Sequence, residues 1–173
     1  MTAPSAMEVG LGLGSNQGDR IAHFKDAKAR VLAIPGLQPI AQSSLYETEP
    51  VGVKPEYQHL KFINAVLVVR CTIPLEDLHP QLLAIEAAIG RNRTADKFAP
   101  RPLDIDILFA DDLVLTTPTL KLPHPQCLKR RFVLEPLAEI NPALILAGTG
   151  RAVRDLLAAL PNPEPVVKLA EVW

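Results

Sequence analysis

Cysteine is nearly missing from this chain: Cys71 and Cys127 are the only two in 173 residues, and they lack CxxC spacing. That is too few for a disulfide framework and the wrong pattern for a zinc or dithiol site. Two reduced thiols in a cytoplasmic protein are the expectation. No apolar run reaches the roughly 18 residues that a membrane helix needs. The opening Met1-Thr2-Ala3-Pro4-Ser5-Ala6 has no basic stretch and no apolar core, so no signal peptide is expected. Aromatic residues make up 5% of the chain and the net charge is −1. Nucleic-acid binding, which needs stacking surfaces and a positive face, has no support in these numbers. The motifs GxxxxGK[ST] and HExxH are absent, and no Ser/His/Asp or Cys/His arrangement stands out. Gly10-Leu11-Gly12-Leu13-Gly14 invites a nucleotide-loop reading, but Ser15 and Gln17 occupy the positions where GxGxxG needs its last glycine. A strand closely packed through its backbone, followed by a turn, is the better reading.

What is present is an ordinary globular composition, 48% hydrophobic and 21% charged, with prolines spread as punctuation. We expect one domain over 1–173, with 1–7 flexible and 161–173 a C-terminal tail. Residues 8–13 read as a strand. A helix follows with Ile21, Phe24, Lys28 and Val31 on one stripe, weakened by the lysine but helped by Ala27, and Gly36 lies past its end. A second strand spans 40–48, a Pro/Gly-rich loop runs to about 60, and 61–71 is the clearest strand. A second helix is expected over 75–89. Its stripe is Leu75, Leu78, Leu82, Ile85 and Ile89, and Pro80 should kink it or delay its start. The basic segment 91–100 has no periodicity and reads as a mobile loop. After the next strand, Leu113-Val114-Leu115 reads as its hairpin partner. Short helices are expected over 132–139 and 152–160, and 166–173 as a last strand or an arm. The order βαββαβ predicts an α+β fold, a ferredoxin-like sandwich with a C-terminal extension.

The chemistry begins in Arg101-Pro102-Leu103-Asp104-Ile105-Asp106-Ile107-Leu108-Phe109. At the two-residue period of a strand, Leu103, Ile105, Ile107 and Phe109 share one face, and Asp104, Asp106 and Leu108 the other. The two carboxylates then lie about 6.6 Å apart and repel unless a cation or donor compensates. A divalent metal is the simplest compensator, and an all-oxygen donor set favours Mg²⁺ or Mn²⁺.

Three further features have two readings each. Phe62 and Asn64 share a strand face continued by Val66 and Val68. The amide can read a donor–acceptor edge beside a flat stacking ring, or it can merely satisfy a neighbouring loop. Arg91, Arg93, Lys97 and Arg101 precede the aspartates, and Arg130 and Arg131 follow Pro123-His124-Pro125. Such cations can form a solvated face, but beside a metal-type carboxylate pair they describe a polyphosphate site. His124, stiffened between prolines, can donate to a phosphate or simply pack in a loop.

Several pieces in order carry a family resemblance. They are Leu13-Gly14-Ser15-Asn16 with Gly18-Asp19, Ser44-Leu45-Tyr46-Glu47-Thr48-Glu49-Pro50-Val51-Gly52, and Phe62-Ile63-Asn64-Ala65. Ile85-Glu86 with Gly90-Arg91-Asn92-Arg93 follows, then the Arg101-to-Asp106 run, then Leu122-Pro123-His124-Pro125 and Arg130-Arg131-Phe132-Val133-Leu134-Glu135-Pro136-Leu137. The set resembles 6-hydroxymethyl-7,8-dihydropterin pyrophosphokinase, a folate-pathway family, over residues 8–142. The resemblance implies that ATP gives its β,γ-pyrophosphoryl group to the pterin's hydroxymethyl oxygen and leaves as AMP. It implies Arg91, Arg101, Asp104 and Asp106 as catalytic residues, with Asp104 and Asp106 holding two Mg²⁺. Glu86, Arg91, Arg93, Arg101, Ile107, His124 and Arg130 are implied at the ATP. Thr48, Pro50, Val51, Gly52, Phe62, Asn64 and Phe132 are implied at the pterin. Phe62, Phe98 and Pro125 stand where some members carry tyrosine, tryptophan and tyrosine. ATP and the pterin are the expected partners, with no nucleic acid, no membrane and a monomeric enzyme. The alternatives are a ferredoxin-like binding module and a Mg²⁺-dependent phosphotransferase with another substrate.

Overall fold

In a computed structural model, residues 5–50, 53–90, 99–161 and 164–173 are described. Val51, Gly52, Arg91, Arg93, Lys97 and Phe98 lie outside them. The elements run β1 (Met7–Ser15), α1 (Arg20–Leu32), β2 (Leu37–Gln42), β3 (Tyr46–Thr48), β4 (Phe62–Cys71), α2 (Leu75–Ala88), β5 (Asp104–Ala110), β6 (Leu115–Thr116), β7 (Lys121–Leu122), α3 (Arg131–Ile140), β8 (Ile145–Leu146), β9 (Arg151–Ala152), α4 (Val153–Ala158) and β10 (Val166–Lys168). The fold is α+β. Its main sheet has the order β10-β3-β4-β1-β5, with β2 also pairing β4, and every pairing is antiparallel.

The sheet separates two cores. On one side α1 and α2 contribute Phe24, Ala27, Val31, Leu78 and Leu82 against Leu11, Leu13, Leu67, Ile105 and Ile107. On the other, α3 and α4 contribute Val133, Leu134, Leu137, Val153 and Leu156 against Val66, Val68, Leu108 and Phe109. The period-2 alternation of β4 dictates this. Ile63, Ala65, Leu67 and Val69 enter the first core, and Val66 and Val68 the second.

The expectations for individual elements meet several corrections. β1 begins at Met7, inside the segment expected to be flexible. The strand expected over 40–48 is two strands, because Ser43 leaves the ladder: its N–H donates to Val66 O (2.9 Å) and its Oγ accepts from Val66 N (2.9 Å). Pro80 does not delay α2, which starts at Leu75 behind Pro74. Pro80 has no N–H to serve the carbonyl of Glu76, and both residues are exposed. Phe109 is not on the face of Ile105 and Ile107. The register against β1 shifts between Gly10 and Leu11, Leu108 is left over, and Leu108 and Phe109 both enter the second core. Leu113 and Val114 form no hairpin with β5; Leu115–Thr116 pairs Lys121–Leu122 instead. The helix and tail expectations past residue 131 match α3, α4 and the strand β10.

Candidate active site

Local structure brings the charged groups to one end of the sheet. Asp104 and Asp106 on β5 stand opposite Gly14 and Gly12 on β1. These glycines alternate with the core residues Leu11 and Leu13, so their bare backbone faces the α3 side. A Cβ on Gly14 would come 3.0 Å from Asn64 Oδ1 and 3.5 Å from Asp104 Oδ2. One on Gly10 would come 2.2 Å from the Phe109 ring. The glycine run is thus a strand packed close through its backbone.

Above this floor lies a cavity of about 300 Å³, at the lower end of small-molecule sites. Asn64, Arg101, Asp104, Asp106, His124, Arg130 and Phe132 all line it. A neighbouring cavity of about 120 Å³ adds Thr48 and Phe62 and shares Asn64, Arg101, Asp104, Arg130 and Phe132. Nine residues singled out from the sequence therefore converge on one continuous region.

The carboxylates meet nitrogen donors. Arg101 Nε stands 3.0 Å from Asp104 Oδ2, with its guanidinium 5.3 Å from the Phe62 ring centre. His124 Nε2 stands 4.0 Å from Asp106 Oδ1. His124 Nδ1 accepts from Gln126 N–H (3.1 Å), so the neutral imidazole carries its proton on Nε2, facing Asp106 and the cavity. Asn64 donates from Nδ2 to Thr48 Oγ1 (2.9 Å), which fixes the amide and leaves its Oδ1 near Gly14. Arg130 lies 4.6 Å over the Phe132 ring, and its Nε donates to Glu164 Oε1 at 2.8 Å. Beneath the site, burial and then the Asp106 charge push the Cys127 thiol up to about 12, so it is an inert packing group.

The 7,8-dihydro-6-hydroxymethylpterin-pyrophosphokinase family matches residues 10–142. The chain belongs to that family. A 2-amino-4-hydroxy-6-hydroxymethyldihydropteridine pyrophosphokinase of Methylorubrum extorquens is 39% identical over 150 residues, which cover 87% of this chain and 91% of the relative. Its counterpart in Aquifex aeolicus is 36% identical over 135 residues, 78% of this chain and 81% of the relative. The folic acid synthesis protein fol1 of Pneumocystis carinii is 37% identical over 143 residues, and there this chain spans only 19% of the longer protein. Plasmodium falciparum HPPK-DHPS with pteroate shares the fold, with a TM-score of 0.67 at 16% identity over 91% of this chain and 43% of that one.

Two pyrophosphokinase expectations sit differently from the rest. Glu86 does not line the cavities: it is 2% exposed, and its Oε1 accepts from the backbone N–H of Ile105 (2.8 Å), between the two aspartates. Ile107 turns its side chain into the first core. Pro50 is half-buried just past β3. Two contributors were not found from the sequence. Asn16 is clamped to residue 101: its N–H donates to Arg101 O (3.2 Å) and its Oδ1 accepts from Arg101 N (2.8 Å). Its place in Leu13-Gly14-Ser15-Asn16, next to a turn, was the available signal. Glu164 is the other. It is a single acid between prolines in the tail, with no periodicity or motif around it.

Proposed function

We propose that this chain transfers the β,γ-pyrophosphoryl group of ATP to the hydroxymethyl oxygen of 6-hydroxymethyl-7,8-dihydropterin, giving the pterin diphosphate and AMP in folate biosynthesis. The observation that carries this reading is the convergence of Asp104, Asp106, Arg101, His124, Arg130, Asn64 and Phe132 on one cavity. Acids for a metal, cations for phosphates, and an amide with a ring for a heterocycle lie within a single small-molecule space.

The donor set fits Mg²⁺. Two carboxylates lining one cavity suit a cation that is bound by one or two carboxylates and completed by substrate phosphates. Asp104 and Asp106 would hold two such ions, which neutralise charge on the phosphates. Arg101, His124 and Arg130 supply phosphate donors; Arg91 and Arg93, assigned the same role, lie outside the described residues. Asn64 reads the pterin edge and Phe132 and Phe62 offer rings for stacking, with Thr48 at that end; Pro50 is assigned to the pterin with it, as are Val51 and Gly52, which lie outside the described residues. Glu86 belongs to the nucleotide end through the strand it braces, and Ile107 through its main chain. The alcohol oxygen attacks the β-phosphorus, the bond to the bridging oxygen of the α-phosphate breaks, AMP leaves with that oxygen, and the hydroxyl proton passes to solvent. Fixed donors and alignment carry most of the rate.

The sheet order β2-β4-β1-β5 supports the ferredoxin-like βαββαβ reading. We read 1–173 as one pyrophosphokinase domain acting as a monomer. Among the described residues no helix is long and apolar enough to cross a membrane, and with two unpaired thiols a cytoplasmic enzyme is the fitting assignment.

Product analysis tests the reading. With ATP, Mg²⁺ and the hydroxymethyl-dihydropterin, AMP should form in equal amount to the pterin diphosphate. ADP instead would indicate a single-phosphoryl transferase, and no turnover would leave a binding module.

A further inference from the structure

We propose that Glu164 is a positioning residue of this site, acting through Arg130; the proposal rests on the pyrophosphokinase reading. Glu164 lies beyond the family-matched residues 10–142, yet it is tied to a residue that lines both cavities. Its Oε1 accepts from Arg130 Nε at 2.8 Å, and its backbone oxygen accepts from Arg131 Nη1 at 3.1 Å. Both side chains of the Arg130–Glu164 pair are about three-quarters buried, at 23% and 25% exposure.

The segment that presents Glu164 is itself anchored. Val166, Val167 and Lys168 pair Thr48, Glu47 and Tyr46, and Leu169 N–H donates to Leu45 O at 2.8 Å. Trp173 Nε1 donates to Ser43 O, also at 2.8 Å. The tail thereby braces β3, which carries Thr48, and holds the guanidinium that roofs Phe132.

An unrestrained arginine surrenders much side-chain freedom each time it grips an anion. Here the Nε contact on one side and the Phe132 ring on the other settle that loss in advance. The contact runs through one nitrogen, Nε. Among the described residues the Arg130 side chain makes no other hydrogen bond, so its two Nη groups remain for phosphate oxygens.

The test is the affinity for α,β-methylene-ATP with Mg²⁺, measured by calorimetry on the full chain. Loss of one charge-assisted bond predicts about tenfold weaker binding in Glu164→Ala, and only about threefold in Glu164→Gln, which keeps an oxygen for Nε. Adding Glu164→Ala to Arg130→Ala should change nothing further. Thermal midpoints should stay within a few degrees of the parent. Should alanine unsettle the tail, Glu164→Gln with and without Arg130→Ala gives the same comparison. Unchanged or tighter binding in Glu164→Ala, or in Glu164→Gln where that variant alone is measured, overturns the proposal. So does a loss that persists on the Arg130→Ala background. AMP formation by the parent protein is read separately, so failure of the underlying activity is not confused with failure of the positioning role.

Discussion

At the scale of single residues, exposure and contact decide which side chains serve the site and which serve the fold. Asp106 is 54% exposed and faces the cavity, so truncating it removes little packing. Asp106→Ala should leave stability within about 0.5 kcal/mol and lower turnover by about a hundredfold or more. Circular dichroism melts and AMP production read the two effects; near-normal turnover would refute the metal role. Gly14 shows the opposite case. A methyl there meets Asn64 Oδ1 at 3.0 Å, and the amide cannot retreat without loosening its bond to Thr48. Overpacking of this kind costs about 1–3 kcal/mol. Gly14→Ala should therefore raise the KM for the pterin about tenfold while that for ATP moves much less. Equal changes in both constants would mean that the damage is general rather than confined to the pterin end.

At the scale of elements, Glu139 links α3 to the sheet. It accepts from Ser44 N (2.9 Å), Ser44 Oγ (2.7 Å) and Tyr46 Oη, with Lys168 Nζ at 3.8 Å. Burial alone would raise its pKa. The hydrogen bonds from Tyr46 and Ser44 and the Lys168 charge outweigh burial and hold it below the ordinary 4.5, while burial and Glu139 itself raise the Tyr46 phenol. A depressed carboxyl pKa stabilises the fold above the unfolded value and loses that effect as pH falls through the folded one. Denaturant melts should show the parent protein more stable than Glu139→Gln at pH 7. The gap should shrink below about pH 4.5; a constant gap would show that the charge is irrelevant. Elements also mark how far the sequence could be read. Alternation placed Asp104, Ile105, Asp106 and Ile107 correctly because β5 is regular there. It failed at Phe109 because one leftover residue reverses the phase, and a bulge leaves no compositional trace. The break at Ser43 was equally silent, since a serine facing Val66 looks like any other polar position in an alternating strand. Lys28 spoiled an otherwise apolar stripe on α1 for a reason outside the helix: its Nζ donates to Trp173 O at 3.1 Å and lies 5.6 Å from the indole.

At the scale of the whole molecule, the acidic strand, the phosphate cations and the Asn64 face were legible because each needs only its own short segment. The contribution of the tail was not, since it depends on a hydrogen bond between residues 34 apart and on docking across the sheet. Trp173 is the far anchor of that tail. It is buried in the first core, 5.4 Å edge-on to Phe24, and its carbonyl also accepts from Gln42 Nε2 (2.7 Å). Trp173→Ala should cost up to about 3 kcal/mol and lower the thermal midpoint; no change would show that the seat is dispensable. The sequence has only one tryptophan, so indole emission has a single origin. The molecule thus carries a built-in optical gauge of its own tail. A blue-shifted band reports the seated state, and a red shift at temperatures where far-ultraviolet dichroism is still native would time the release of the tail separately from unfolding, without any attached dye.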